Sequence, residues 1–169
     1  MTWYVLLIGA VAAERVAELV VARRNSTWSR ARGGIEFGAS HYPAMVALHT
    51  GLLAGCLLEV LALHRPFLPA LGWPMLAVVL AAQGLRWWCI ATLGHQWNTR
   101  VVVIPAAERV TGGPYRFISH PNYLAVVLEG AALPLVHTAW ITAICFAVLN
   151  AALLRRRIRV EDAALASLR

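Results

Sequence analysis

Four long apolar segments separated by polar loops constrain this chain more than any other feature. They run from about Trp3 to Ala22, Ala44 to Leu63, Pro74 to Leu93 and Asn122 to Leu154. A bilayer core about 30 Å thick takes roughly 20 apolar residues of helix, and the first three segments match that length. The fourth would make a single helix about 50 Å long, too long for one crossing. Divided near Pro134–His137 it becomes a helical hairpin. The expected fold is an all-α integral membrane protein of about five transmembrane helices.

Composition excludes the alternatives. Of the 169 residues, 60% are hydrophobic and 14% charged, with a mean hydropathy of +0.64. A soluble domain sits nearer 45–50% apolar and about 25% charged. A chain this short also leaves roughly a third of its unfolded surface exposed. A soluble globular domain, a disordered chain and a disulfide scaffold are therefore all unexpected. Cys56, Cys89 and Cys145 lie in apolar stretches without CxxC spacing, so buried thiols are expected rather than a metal site.

All 15 basic residues are Arg, and the net charge is +7. Arg23, Arg24, Arg30 and Arg32 fall between the first two segments, and Arg100, Arg109 and Arg116 in the loop before the hairpin. Arg155, Arg156, Arg157, Arg159 and Arg169 belong to a basic tail, whereas only Arg65 lies on the opposite side. The positive-inside rule then puts the N-terminus outside, and the long loop and an amphipathic tail helix in the cytoplasm. Basic residues that follow topology in this way do not form a nucleic-acid surface. A cleaved signal peptide ending near Ala10-Val11-Ala12 is the competing reading of the start; no basic region precedes it. The chain reads as one domain, 1–169, with three spans in 1–93 and a polar, chemistry-bearing half in 94–169.

Polarity concentrates where that loop and the tail flank the hairpin. Such a cytoplasmic pocket would take a polar cofactor from water and a lipophilic acceptor from the bilayer. Gly112-Gly113-Pro114-Tyr115-Arg116 is a turn, and Ser119-His120-Pro121-Asn122 opens a helix with Pro at its first position. The N–H groups of that helix start suit an anion. Arg157 and Glu161, four apart, share one helix face. Charges inside spans each cost about 2.5–3.5 kcal/mol at mid-bilayer. Glu14, Arg15 and Glu18 can pair within their own helix, Arg86 can snorkel to the near interface, and Glu59 is expected near His64. Glu129, two turns into the fourth segment, is a candidate base or substrate contact. His49 and His137 read as interior or boundary histidines. The chain has no HxxxH array, Walker pattern or GxGxxG, and no metal is expected.

The stretch GGPYRFISHPNY, then a hydrophobic hairpin, then RIRVED, resembles the isoprenylcysteine carboxyl methyltransferase family, whose pattern is LVTxGPYxxxRHPxY followed by RxxxE. The likeness covers about Gly94 to Leu165. It implies a membrane enzyme that moves a methyl group from S-adenosylmethionine to a lipophilic acceptor. It implies cofactor contacts at Glu108, Arg109, Val110, Tyr115, His120, Pro121, Asn122, Tyr123 and Glu161, with Arg157 toward the acceptor. His120 and Glu129 are the candidate bases for an acceptor that is not already ionised. Ala107, Arg109 and Ser119 stand where the family commonly has His, Leu and Arg, which points away from the eukaryotic-type substrate. The stretch around HPNYLAVVLE resembles a bacterial branch that O-methylates alkylpyrones or alkylresorcinols, implying the bacterial cytoplasmic membrane. The expected partners are a lipophilic small-molecule acceptor and membrane lipids. A phospholipid N-methyltransferase and a noncatalytic binding or transporter subunit are the alternatives.

Overall fold

The computed structural model describes residues 2–167; Arg169, counted above with the tail, lies outside the described residues. Five long helices dominate: α1 (Thr2–Arg30), α2 (Tyr42–Ala62), α3 (Pro69–Leu93), α4 (Pro121–Leu135) and α5 (Trp140–Ser167). Two three-residue strands, β1 (Ile35–Phe37) and β2 (Val101–Val103), pair antiparallel with Glu36 opposite Val102. The expectation of an all-α chain is corrected by this clip, which ties the loop after α1 to the loop after α3. Val101-Val102-Val103 is a β-branched run, suited to a pleated ladder.

Two further boundaries differ from expectation. Arg23, Arg24 and Arg30 belong to α1 rather than to a loop, because nothing in the sequence stops that helix before Gly33. Gly33, at φ 76°, adopts the left-handed conformation, and Gly34 N–H reaches back to the Ser29 carbonyl at 2.9 Å, satisfying an end carbonyl. The tail is not a separate helix either: α5 runs unbroken from the apolar arm into RRRIRVED.

The hairpin divides where expected, at residues 136–139 between α4 and α5. Tyr4 Oη donates to the Leu133 carbonyl at 3.0 Å, an acceptor near the end of α4. Glu59 does not pair with His64. It accepts from Arg65 Nε at 3.0 Å and caps α5 through the Ile141 and Thr142 N–H groups at 3.1 and 2.7 Å. Tyr4, Leu52, Cys56, Val60, Val79, Leu133, Val136 and Phe146 form a core to which all five helices contribute. Cys89 is also buried, whereas Cys145 is exposed, contrary to expectation.

Residues 39–62 and 69–96 form helices long and apolar enough to cross a membrane. By the same measure α1 carries too many charges, α4 has only 15 residues, and α5 turns basic after Leu154. The outer surface is nevertheless apolar on several helices, with Leu6, Leu58, Leu80, Ile144 and Val148 at least 62% exposed. Trp3, Trp73 and Trp140 are exposed toward one end of the molecule and Trp87 and Trp88 toward the other, as interfacial aromatic belts are.

Candidate active site

The site lies where the loop after α3 meets the start of α4 and the basic half of α5. Pro121 occupies the first position of α4, where its missing N–H costs nothing, and His120 precedes it as the cap residue. Gly113, at φ 52°, turns the chain against Thr92 of α3, whose Oγ1 would lie 2.4 Å from an added Cβ. That turn delivers Tyr115.

A polar relay joins α4 to α5. Arg157 Nε donates to Tyr123 Oη at 2.9 Å, and Tyr123 Oη in turn donates to Glu161. Arg157 and Glu161 thus share a face but are linked through Tyr123. Arg157 also donates to the Thr99 carbonyl at 2.7 Å and sets Nη1 2.8 Å from Met45 Sδ, so its fork is fixed from three sides. The His120 ring stacks on Tyr123 with centroids 5.3 Å apart. Its Nε2 lies 3.2 Å from Asp162 Oδ1, and its Nδ1 lies 3.6 Å from Glu161 Oε1. The Glu161 carboxylate, helped by Asp162, raises the His120 pKa against the opposing effect of burial. Burial pushes Glu161 upward, but hydrogen bonds from His120 and Tyr123 outweigh it and hold the carboxyl below the usual range.

Two cavities meet at this relay. One, of about 210 Å³, is mixed in polarity and is lined by Glu108, Arg109, Val110, Tyr115, His120, Asn122, Tyr123, Arg157 and Glu161. The other, of about 340 Å³, lies among α1, α2, α4 and α5 and is walled largely by aliphatic side chains such as Val46, Leu53, Val126 and Leu153. Trp97, Asn122, Tyr123 and Arg157 line both. Three buried polar atoms at the first cavity have no protein partner: Trp97 Nε1, Asn98 Nδ2 and Asn122 Oδ1. Two donors and one acceptor left open in this way suit a ligand that carries both kinds of group.

Nine of the residues singled out in the sequence therefore converge on one cavity. Pro121 is buried behind it and does not line it. Glu129 lines neither cavity, so the structure does not bring it together with the other candidate residues. It is held by Arg86 Nη2 at 2.5 Å and faces Arg15 Nη2 at 3.4 Å. Arg86, far from snorkelling, is 4% exposed and also faces Glu18 at 3.5 Å; the expected Arg15–Glu18 pair forms at 2.7 Å. Sequence reasoning missed Trp97, Asn98 and Thr99. Asn25 shapes this corner by donating to the Gly94 and Trp97 carbonyls at 3.0 and 2.7 Å, a link between α1 and residues some 70 positions later that no local pattern announces.

The chain is 41% identical over 166 residues, 98% of its length and 96% of the other's, to the uncharacterized protein YpbQ of Bacillus subtilis (strain 168). No solved structure matches. The family model for isoprenylcysteine carboxyl methyltransferases matches residues 75–167, which span α4, α5 and every residue of the relay. The chain belongs to the isoprenylcysteine carboxyl methyltransferase (ICMT) family, whose members are membrane methyltransferases.

Proposed function

We propose that this protein uses S-adenosylmethionine to methylate an oxygen of a lipophilic small molecule, at a site facing the cytoplasm. The observation that carries the reading is the meeting of a polar and an apolar cavity at Arg157, Tyr123, Asn122 and Trp97. The polar cavity fits the cofactor's groups. Glu161 suits an α-ammonium, the N–H groups at the start of α4 suit a carboxylate, and Trp97, Asn98 and Asn122 bring unmatched donors and an acceptor. Tyr115 lines the same cavity, where its ring suits a cation, an attraction of about 0.5–2 kcal/mol.

S-adenosylmethionine supplies an electrophilic methyl carbon, and transfer forms the acceptor O–C bond as the C–S bond breaks. The protein contributes position. Arg157 stands at the seam with its fork fixed by Tyr123 and Thr99, able to fix an acceptor oxygen by charge and geometry. His120 lines only the polar cavity, and its proton is held by Glu161 and Asp162. It is poorly placed to deprotonate an acceptor across the seam. An acidic acceptor, a carboxylic acid or an enol-like or phenolic hydroxyl, needs little such help. This favours O-methylation over methylation of a phospholipid amine.

Calorimetric titration of the detergent-purified protein with S-adenosylhomocysteine, beside Glu161→Ala, tests the reading. Saturable binding that the variant loses is the expected outcome. Absence of binding by folded parent protein would overturn it in favour of a noncatalytic membrane component.

A further inference from the structure

Another cavity lies away from the relay, an open groove of about 820 Å³ between α2 and α5. α2 presents Ala44, Ala47, Gly51 and Gly55 to it, a stripe at helical spacing with little side-chain bulk. At Gly55 the two helices come close, since an added Cβ would lie 3.0 Å from Thr142 Cγ2. At Gly51 an added Cβ would meet nothing within 4 Å. The helices therefore close the groove at one end and leave a recess toward the other.

That other end carries charge. Arg156 is the one charged side chain among the residues that line the groove. Its Nη2 reaches Ser40 Oγ at 3.4 Å, where the membrane-length helix 39–62 begins, and among the described residues it has no carboxylate partner. From Ala44 to Gly55 the groove follows α2 for about 16 Å of helix rise. One leaflet of a hydrocarbon core about 30 Å thick has nearly that depth. A cation at one end of an apolar trough of single-leaflet depth matches a lipid with an anionic head and a hydrocarbon tail.

We infer that this groove seats one acyl chain of an anionic phospholipid, with the lipid phosphate on Arg156. Lipid tails are as apolar as the groove, so leaving the bilayer for it contributes little by itself. Selection comes from the charge contact at Arg156 and from packing into the recess that Gly51 leaves open. A second copy of the chain fits less well, because a two-fold pairing of this face would bring both Arg156 side chains to the same end. Leu153 lines both this groove and the apolar cavity beside the relay, so the seated chain packs against that cavity's wall.

Cys145 lines the groove and is exposed, whereas Cys56 and Cys89 are both 0% exposed. Labelling of Cys145 by N-ethylmaleimide therefore reads occupancy directly in the detergent-solubilised full chain. Dioleoylphosphatidylglycerol added to the micelles is expected to slow labelling saturably, and dioleoylglycerol, which lacks the phosphate, to protect far less. Arg156→Gln is expected to raise the half-protecting mole fraction about fivefold, the factor that one surface arginine contributes toward anionic lipid. Gly51→Leu fills the recess and should lose the phosphatidylglycerol that the parent retains in native mass spectrometry. Its melting temperature in lipid-free detergent should be no lower, since leucine is the better helix former. Labelling that ignores phosphatidylglycerol, equal protection by dioleoylglycerol, an unchanged midpoint in Arg156→Gln, or undiminished retention by Gly51→Leu overturns the inference. Protection that grows with protein concentration in lipid-free micelles overturns it in favour of a second copy.

Discussion

Arg157 gives its Nε–H to the hydroxyl of Tyr123 at 2.9 Å, and through that one oxygen it is coupled to Glu161 on its own helix. Tyr123→Phe keeps the ring and its stacking on His120 but removes the oxygen, leaving a buried guanidinium and a carboxylate each short of a partner. Hydrogen bonds to charged groups are worth about 1.5–3 kcal/mol. Tyr123→Phe is expected to weaken S-adenosylhomocysteine binding roughly tenfold, read by calorimetry. An affinity equal to that of the parent would show that the relay does not organise the cavity.

Arg157→Lys separates charge from geometry. Lysine keeps the positive charge but cannot reach Tyr123, Thr99 and Met45 from one rigid fork. A displacement of about 1 Å at a reacting centre costs on the order of a hundredfold in rate. Turnover is expected to fall by about that factor while S-adenosylhomocysteine affinity stays within a few-fold. An equal fall in both would place Arg157 with the cofactor alone.

His120 and Glu161 give the site a pH window. The folded state raises the His120 pKa above 6.5, so its contribution is complete below 6.5 and fades as pH climbs through the raised value. The folded state lowers Glu161 below 4.5, so its contribution is complete above 4.5 and fades as pH falls through the lowered value. The stabilisation from this pair is therefore greatest between pH 4.5 and 6.5. The melting temperature of the parent minus that of His120→Gln is expected to peak in that interval and shrink on both sides. A difference independent of pH would remove the pairing as its cause.

Much of this arrangement is legible in the sequence, and the reasons for the gaps are physical. Hydropathy and helix length locate the hairpin because Pro134 and the 136–139 turn interrupt a stretch too long for one crossing. The turn at Tyr115, the helix start at His120–Asn122 and the Arg157–Glu161 pair are legible because their chemistry and spacing are local, whereas Glu108, Arg109, Val110 and Tyr123 enter only through the resemblance to the family motif. The clip between β1 and β2 is not, since three residues on each side are too few to show a period. The fate of Arg86 is not legible either. Its partners Glu18 and Glu129 come from two other helices, and only packing decides between pairing and snorkelling. The continuation of α5 through RRRIRVED follows from good helix formers with no Gly or Pro to stop them. A change from apolar to charged composition was a poor guide to where that helix ends.

The buried charges predict an asymmetry between single and paired replacement. Glu129→Ala leaves Arg86, 4% exposed, without its 2.5 Å partner, and breaking a buried pair costs about 3–5 kcal/mol. Replacing both together, as Glu129→Met with Arg86→Met, removes the unpaired charge and is expected to cost far less. Thermal unfolding in detergent reads both. Equal losses would mean that the pair is not coupled.

Gly130 offers the sharpest check on how α4 packs against α5. An added Cβ there would lie 1.9 Å from Phe146 Cε1, a separation no pair of carbons tolerates. Phe146 is itself 4% exposed within the shared core, so its ring has little room to move aside. Overpacking of this kind typically costs about 1–3 kcal/mol. Gly130→Ala is therefore expected to lower the melting temperature, even though alanine is the better helix former by about 1 kcal/mol. Phe146→Leu alone should also destabilise, by opening a void. Combined, the two changes relieve each other, because the shorter side chain makes room for the new methyl group. The double variant is expected to be more stable than the sum of the single losses by at least about 0.5 kcal/mol, the range found for residues in direct contact. Additive losses would mean that α4 and α5 do not approach each other at this point as closely as the structure shows.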